Sequence, residues 1–429
     1  MRGLVWPLTI FGALFCKEME LVNGSYKIQN LDVSSLAAEF GTPLYVYDGH
    51  KVESQLHRLK RAFSSTRIRI KYAAKALTNI SILKLVRKSG ADVEVVSLQE
   101  AAMALKAGFL PQEITFTPSG VAFREIEEAV QSGFSINIDN LSSLKKFGAK
   151  YGSSYECGLR LNPGIMAGGN LKISTGHVNS KFGISIQQLP EIIEVTKQYD
   201  IAVAGLHIHT GSDITDSNVF LQMADVLFEA SVHFSALRFL DFGSGFKVAY
   251  KEGDKVTDIE ELGTKLGSVF NDFCQSSGRT LELWIEPGKF VVSESGTLLV
   301  KVNVVKPTPA GTFVGVDSGL NHLIRPMMYD AYHEIVNTSN PDGNVQTYTV
   351  VGYICETDTF GTDRKLNAVR EGDILALKNA GAYGFSMASN YNSRLRPAEV
   401  LVYNGKAHLI REREQLDDLM KHQIIADLS

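Results

Sequence analysis

A lysine stands where an alternating apolar segment gives way to a helix, in the stretch RIRIKYAAKALTN. Ile68, Ile70 and Tyr72 alternate with charged residues, which is the two-residue period of a β-strand. Asn79 can cap the helix that follows it. Lys75 is therefore expected at the carboxyl end of a strand. A lone lysine in such a place is usually solvated, so its meaning depends on the other polar residues of the chain.

Other apolar segments also end on residues that could do chemistry. One segment ends on His207 and His209, the next leads into the glycine-rich stretch 243–245, and the last leads to Glu286 in EPGK. If these segments are parallel strands of one barrel, their carboxyl ends meet at one rim. We expect Asp139, Arg160, Asn162 and His207 to pack or to support the site from outside its contacts. Asp92 and Glu100 are likewise expected to be structural.

The residue types at this rim suit one cofactor. A desolvated lysine forms Schiff bases with aldehydes. A glycine-rich turn after a strand offers backbone N–H groups to a phosphate, although GSG by itself is also a frequent turn. An imidazole can stack on a flat ring, and a carboxylate can hold a proton on a pyridine nitrogen. Together these groups indicate pyridoxal phosphate, an electron sink that stabilises carbanions.

Eight apolar β segments alternate with helical patterns over roughly 240 residues, which matches the usual size of a (β/α)8 barrel, about 250 residues. A doubly wound sheet would need fewer strands. The helix in SLQEAAMALKAG shows capping-box spacing between Ser97 and Glu100, and Gly108 ends it. The β segments are IRIKYAA, ADVEVVS, EITFT, SINID, CGLRLN, AVAGLHIHT, LRFLDFG and TLELWIEPG.

The pattern changes past about residue 290, where β-rich segments with turn residues predict a mainly antiparallel second domain. We expect residues 47–290 to form the barrel and residues 291–429 the β domain, which residues 19–46 join. Residues 1–18 hold a short apolar run before Cys16 that resembles a signal or lipoprotein peptide. We favour an upstream start codon, with Met19 as the true first residue.

Composition narrows the classes of partner. The 429 residues are 44% hydrophobic, enough for sizeable cores, and carry a formal net charge of −4. This balance argues against nucleic acid or an anionic membrane as the main partner. The four cysteines show no paired metal-ligand spacing, which suits a reducing cytoplasm and predicts no metal. No apolar run reaches membrane-spanning length.

Five motifs resemble those of the alanine-racemase-type (fold type III) pyridoxal phosphate decarboxylases, and most closely the diaminopimelate decarboxylases. They are YAAKA, GLHIHTGS, FGSGF, EPGK and GAYGFSMASNYNSRLRP. The resemblance runs from FGTPLYVYD to NSRLRPAEVLV, nearly the whole chain beyond the N-terminal tail. It implies a cytoplasmic enzyme that converts meso-2,6-diaminopimelate to L-lysine and carbon dioxide, the last step of lysine biosynthesis.

The resemblance also implies the cofactor contacts. A carboxylate at Glu286 favours decarboxylation over racemisation, because alanine racemases of this fold place an arginine there and weaken the electron sink. Ser244 stands at the middle of the glycine loop and needs an ordinary backbone conformation. The implied contacts are Lys75 as the Schiff-base lysine, His209 on the ring, Glu286 on the pyridine nitrogen, Ser212, Gly243, Ser244 and Gly245 on the phosphate, and Tyr383 on the phosphate beside the substrate.

Two further segments resemble the substrate-binding parts of the family. RPMMYDAYH implies that Arg325 and Tyr329 hold the distal carboxylate of the substrate. YICETDTF implies that Cys355 returns a proton to the substrate carbanion and that Glu356 takes the distal ammonium. Lys289 replaces the arginine of the family motif EPGR, so it is expected to contact the substrate with a charge but without a planar fork.

Alternative interpretations remain open at this point. One is a decarboxylase of another diamino acid or of carboxynorspermidine. A different class is a non-catalytic pyridoxal phosphate carrier or regulator, although a carrier needs neither Cys355 nor Arg325. In the family the segment with Cys355 enters the active site of the partner subunit, so the resemblance implies a homodimer with shared sites.

Overall fold

Short elements precede the barrel in the computed structural model, which describes residues 19–168, 175–177 and 179–428. The sequence predictions for residues 1–18, including Cys16, lie outside the described residues. Asp32 and Asp48 cap the two helices, because their carboxylates accept backbone N–H groups of the first turn. The elements are β1 (Glu20–Val22), β2 (Ser25–Ile28), β3 (Leu31–Asp32), α1 (Val33–Phe40), β4 (Leu44–Asp48) and α2 (Gly49–Ala62).

A closed barrel of eight parallel strands follows, which confirms the predicted fold class. All eight predicted β segments contain one of its strands, and the last strand pairs with the first, Ile285 opposite Ile70. A ninth short strand pairs beside the fifth barrel strand. The strands are β5 (Ile68–Ala73), β6 (Asp92–Val95), β7 (Ile114–Phe116), β8 (Ser135–Ile138), β9 (Cys157–Asn162), the short β10 (Ile184–Ser185), β11 (Val203–Ile208), β12 (Phe239–Asp241) and β13 (Glu282–Ile285).

Helices between the strands begin at the predicted caps. The side chain of Asn79 accepts the N–H of Ser81, and Ser97 accepts the N–H of Glu100. The carboxylate of Glu100 in turn accepts the N–H of Val96, so the predicted capping box forms with a shift of one residue. The helices are α3 (Ile80–Lys88), α4 (Leu98–Lys106), α5 (Phe123–Gln131), α6 (Leu141–Tyr151), α7 (Leu189–Gln198), α8 (Ser217–Ser231), α9 (Ile259–Ser277) and α10 (Lys289–Val292).

A second, mostly antiparallel sheet follows the barrel in the chain. Its main path runs β18-β17-β15-β14-β4-β20-β21, so β4 from before the barrel lies between two strands from after it. Among the described helices, none combines the length and apolar character that crossing a bilayer requires. The elements are β14 (Gly296–Thr308), β15 (Gly311–Val316), α11 (Arg325–Tyr329), β16 (Ile335–Asn337), β17 (Val345–Val351), β18 (Thr359–Asn367), β19 (Ile374–Leu377), β20 (Ala398–Tyr403), β21 (Lys406–Arg411) and α12 (Leu416–Met420).

A buried carboxylate joins the sheet to the barrel. Glu399 on β20 accepts the hydroxyl of Tyr47 at 2.8 Å and the side-chain amide of Asn79 at 3.0 Å. Arg411 on β21 pairs with the same carboxylate. Because Asn79 also caps α3, one polar cluster fixes the helix that follows Lys75 against the second sheet. Such clusters stabilise a structure only when every member is satisfied.

The cluster around Glu399 predicts a stability difference between two glutamates. Glu399→Gln should lower the free energy of unfolding by about 1–3 kcal/mol, because the buried site loses a charged acceptor of several hydrogen bonds. Glu412→Gln, at an exposed position nearby, should change it by less than about 0.5 kcal/mol. Urea unfolding followed by circular dichroism measures both values. Equal effects of the two substitutions would contradict the structural role of Glu399.

Candidate active site

One cavity at the carboxyl ends of the barrel strands collects most of the predicted site residues. Its wall includes residues from the loops after β5, β11, β12 and β13 and from the second sheet domain. The parallel strands place these loops at the same rim, as expected for a barrel. The predicted residues that border the cavity are Lys75, His209, Ser212, Ser244, Gly245, Glu286, Lys289 and Tyr383.

Lys75 lies in a short 3-10 turn, Ala74–Ala76, directly after β5. Its side chain keeps 38% of its surface accessible because it reaches into the cavity. Nζ lies 3.3 Å from Oε2 of Glu94, a buried residue of β6. Burial raises the pKa of Glu94 to about 7, although the charge of Lys75 opposes this.

Two carboxyl groups share the floor of the cavity. Oε2 of Glu286 lies 3.1 Å from Nε2 of His207, at an angle poor for a hydrogen bond, and Oε1 has no partner in the described structure. Asp241 accepts the N–H of Gly243 at 2.9 Å, and oxygens of both carboxyls lie within 4.8 Å of each other. Burial and then the charge of Glu286 raise the pKa of Asp241 well above its usual value. Two adjacent buried carboxyls cannot both ionise easily, so Asp241 holds the proton and Glu286 stays charged.

The imidazole of His209 is held neutral beside the glycine loop. Burial, followed by the charges of Lys75 and Arg160, lowers the pKa of His209 well below its usual value. A neutral ring can stack on a flat aromatic ligand without placing a buried charge there. The N–H of Ser244 points to Nδ1 of His209 at 3.4 Å. The ring is therefore fixed to the loop after β12.

The glycine loop has the backbone that its sequence predicts. Gly243 and Gly245 adopt positive φ, 56° and 102°, whereas Ser244 between them does not. A Cβ on Gly245 would lie 2.3 Å from the carbonyl oxygen of Gly211, so only glycine fits. The hydroxyl of Ser244 donates to the carbonyl of Glu286 at 2.8 Å. That hydroxyl ties the loop to the strand end that carries the carboxylate, and Ser244 and Gly245 border the cavity.

Arg325 lies behind the cavity among three tyrosines. Its guanidinium carbon is 5.7 Å from the ring of Tyr250 and 5.9 Å from the rings of Tyr329 and Tyr383. Tyr383 borders the cavity and adopts φ 57°, an uncommon backbone conformation for a bulky residue. The N–H of Tyr383 donates to the carbonyl of Ala76 at 2.9 Å. Tyr383 therefore lies between Arg325 and the turn that carries Lys75.

Five predicted site residues do not border this cavity: Gly243, Arg325, Tyr329, Cys355 and Glu356. Cys355 and Glu356 lie together on one segment of the second sheet domain. Both are exposed and precede β18. Cys355 Sγ accepts the side-chain amide of Asn392 at 3.2 Å, and Glu356 pairs with the hydroxyl of Tyr391. Neither residue borders the cavity that contains Lys75.

A larger open cleft of about 880 Å³ lies at the opposite end of the barrel. Its arginines are already paired: Arg238 with Glu156, and Arg67 and Arg69 with Glu282. Barrel enzymes place their chemistry at the carboxyl ends of the strands. The smaller cavity, with its unpaired buried polar groups, is therefore the candidate active site.

Comparison with known proteins agrees with this assignment. Residues 49–293 match the family model described as pyridoxal-dependent decarboxylase, pyridoxal binding domain. The diaminopimelate decarboxylase of Methanothermobacter thermautotrophicus is 37% identical over 410 residues, which cover 93% of this chain and 96% of the relative. This chain belongs to the diaminopimelate decarboxylase family. Its relative from Escherichia coli K12 is 34% identical, with 91% of this chain and 96% of that protein covered.

A solved structure extends the comparison to the fold. The diaminopimelate decarboxylase from M. jannaschii in co-complex with L-lysine has a TM-score of 0.87 and 30% sequence identity. The match covers 95% of this chain and 98% of the other. Both the barrel and the second sheet are therefore common to this chain and its family.

The residues at the cavity fit pyridoxal 5′-phosphate, the cofactor of the family. Oε1 of Glu286 is buried without a partner in the described structure, as a group awaiting a pyridinium N–H would be. The loop of Gly243, Ser244 and Gly245 turns beside the cavity, with positive φ at both glycines, and forms a glycine cradle there. An amine, a neutral imidazole and this cradle form a donor set suited to an aldehyde, a ring and a phosphate.

Sequence reasoning missed three acidic residues and one tyrosine at this site. Glu94 is a charged residue between the apolar Val93 and Val95 of β6, and Asp241 lies two residues before the glycine loop, so both had a weak positional signal. Asp213 and Tyr250 lie in loops with no such pattern. Their importance follows from contacts with Lys289 and Arg325, which are distant in the chain.

If Asp241 is protonated, two substitutions of it should affect cofactor affinity differently. Asp241→Asn keeps a hydrogen-bond donor beside Glu286 and should change the cofactor dissociation constant by less than about threefold. Asp241→Leu removes the donor and the acceptor of the Gly243 N–H, so affinity should fall roughly 10- to 100-fold. Absorbance titration with pyridoxal phosphate measures both constants. An asparagine variant as weak as the leucine variant would mean that Asp241 must be ionised.

Proposed function

We propose that this chain decarboxylates meso-2,6-diaminopimelate to L-lysine and carbon dioxide, with pyridoxal 5′-phosphate as its cofactor. The family assignment supports the reaction, and one observation within this chain supports the substrate. Arg325 is 7% exposed, and its Nε has no partner among the described residues. The substrate is a small amino acid that carries a carboxylate at both ends.

Arg325 is suited to bind the distal carboxylate. Its only described hydrogen bond is a long one, from Nη2 to the hydroxyl of Tyr250 at 3.4 Å, and no described carboxylate pairs with it. The nearby His333 is neutral, since burial lowers its pKa to about 3. A buried guanidinium without a counter-charge is costly, and a bidentate carboxylate relieves that cost. Ornithine has no distal carboxylate and could not supply it.

The chain's own residues would hold the cofactor and direct its chemistry. Lys75 would bind the aldehyde carbon, His209 would cover one ring face, and the N–H groups of residues 243–245 with Ser212 would hold the phosphate. Glu286 would keep a proton on the pyridine nitrogen, with Asp241 keeping its own proton beside it. When bound, pyridoxal phosphate supplies an electron sink for the bond that loses carbon dioxide.

Completion of the site requires a second copy of the chain. Cys355 and Glu356 are exposed and do not border their own chain's cavity. We infer a two-fold homodimer in which this segment enters the partner's cavity, where Cys355 donates a proton and Glu356 pairs with the distal ammonium. The second copy of the chain would also cover the open end of the barrel and exclude water from the cavity.

We also propose the domain boundaries of the chain and a cytoplasmic location. We place the cofactor-binding barrel at residues 47–290, the β domain at residues 291–429, and residues 19–46 with the β domain, since β4 pairs with β14 and β20. Cys157, Cys274 and Cys355 are free thiols, which is typical of a reducing cytoplasm.

Carbon dioxide release from a substrate panel tests the function. The panel contains meso-diaminopimelate, lysine, ornithine, arginine and carboxynorspermidine. We expect meso-diaminopimelate to be turned over with the highest kcat/KM. Preference for another member would replace the substrate, and cofactor binding without turnover of any member would favour a carrier or regulator.

Arg325→Met should separate substrate binding from cofactor binding. The loss of a buried charge-assisted contact should raise KM for meso-diaminopimelate roughly 30-fold or more, with little change in the cofactor spectrum. Arg124→Met removes an exposed arginine that pairs with Glu128 on α5, and should leave KM unchanged. Steady-state kinetics measures both. An unchanged KM in Arg325→Met would remove this residue from the substrate site.

Mixing two inactive variants tests the shared site. Lys75→Ala and Cys355→Ala should each be nearly inactive alone. After random subunit exchange about half of the dimers are mixed, and half of their sites are intact, so activity should reach about a quarter of the wild-type value. Mass spectrometry of labelled subunits verifies that exchange occurs. No recovery despite exchange would mean that Cys355 serves its own chain or no site.

A further inference from the structure

Lys289 borders the cavity, and its charge is paired there with an acidic residue of another loop. It is 7% exposed, and its Nζ lies 2.8 Å from Oδ1 of Asp213. The family motif has arginine at this position, and the sequence predicted that Lys289 contacts the substrate. The pairing with Asp213 points to a different role.

The two partners belong to loops that follow different strands. Asp213 lies after β11 and adopts φ 62°, two residues beyond Gly211 at φ 139°. Lys289 is the first residue of α10, after β13. Because β12 lies between β11 and β13 in the barrel, the ion pair spans the glycine loop that follows β12.

Backbone contacts already tie the Asp213 segment to the glycine loop at one end. The N–H of Ile214 donates to the carbonyl of Gly245 at 2.9 Å, and Ile214 forms a bridge with Phe246. At the other end Ser212 faces the cavity. The ion pair to Lys289 adds a contact to the turn between these two points, from the far side of the loop.

Lys289 and Arg325 differ in whether a carboxylate already pairs with them. Lysine is a compact point charge and cannot hold two carboxylates in a planar fork as arginine can. One carboxylate already occupies Lys289, whereas no described carboxylate pairs with Arg325. A second anion at Lys289 would have to approach the charge of Asp213. The distal carboxylate of the substrate is therefore left to Arg325.

We propose that Lys289 and Asp213 form an ion pair that positions the turn carrying Ser212 over the glycine loop, and that Lys289 does not bind the substrate. This inference rests on the proposed function for the phosphate at that loop. It assigns both residues a positioning role for the cofactor site. The family arginine has here been replaced by a lysine whose partner is Asp213.

A double-mutant cycle tests the pair. The variants are Lys289→Met, Asp213→Asn and the combination of both. The exposed pair Lys145 and Glu191, 2.9 Å apart on the outer helices, supplies matched controls as Lys145→Met and Glu191→Gln. Three measurements are made on each: the pyridoxal phosphate dissociation constant, KM at saturating cofactor, and hydrogen exchange of residues 209–216 in the cofactor-free protein.

The pair predicts strong non-additivity. Each single substitution should weaken cofactor binding about 10-fold, and the double variant should be no weaker than either single variant. KM should change much less than the cofactor constant, and hydrogen exchange of residues 209–216 should rise to a similar extent in all three variants. The control substitutions on the outer helices should change none of these values.

Several results would overturn the inference. If Lys289→Met raises KM while Asp213→Asn has no effect, Lys289 contacts the substrate. If Lys289→Met weakens cofactor binding and Asp213→Asn does not, Lys289 acts on the cofactor by itself. Additive effects would mean that the residues act independently. If the wild-type protein binds no pyridoxal phosphate, the proposed function fails, and exchange in the cofactor-free protein still decides whether the pair holds the turn.

Discussion

The pairing of β13 with β5 is the constraint on which the site depends. It closes the barrel and brings the end of the eighth strand next to the end of the first, although they lie more than 200 residues apart in the chain. The N–H of Ala73 donates to the carbonyl of Pro287 at 3.2 Å, which joins the chain segments that carry Lys75 and Glu286. Without closure, the amine of Lys75 and the carboxylate of Glu286 would not share a cavity.

Buried charge inside the closed barrel is the second constraint, because each ionised group there needs a partner. Glu94 balances Lys75, and the proton on Asp241 allows Glu286 alone to stay ionised. Arg325 lacks such a partner in the described structure, which leaves it ready for an anion. Lys75 thus has a charged partner within the described structure, whereas Arg325 has none there.

The second sheet domain contributes residues to the open end of the barrel. It places Tyr383 against the turn that carries Lys75 and places Arg325 behind Tyr383. The polar cluster around Glu399 holds this sheet against the helix after Lys75. Cys355 and Glu356 lie on an exposed segment that precedes β18.

The sequence by itself determined the eight strands, the helix caps and the rim residues, because strand period, caps and glycine turns are local properties of the chain. The motifs also assigned Lys75, His209 and Glu286, and the structure brings these three to one cavity. Only the tertiary structure decided which charges meet. The contact of Lys289 with Asp213 joins loops 76 residues apart, and the isolation of Arg325 depends on every element packed around it. Local patterns cannot encode such pairings, since they arise from where barrel closure and the second sheet place distant side chains.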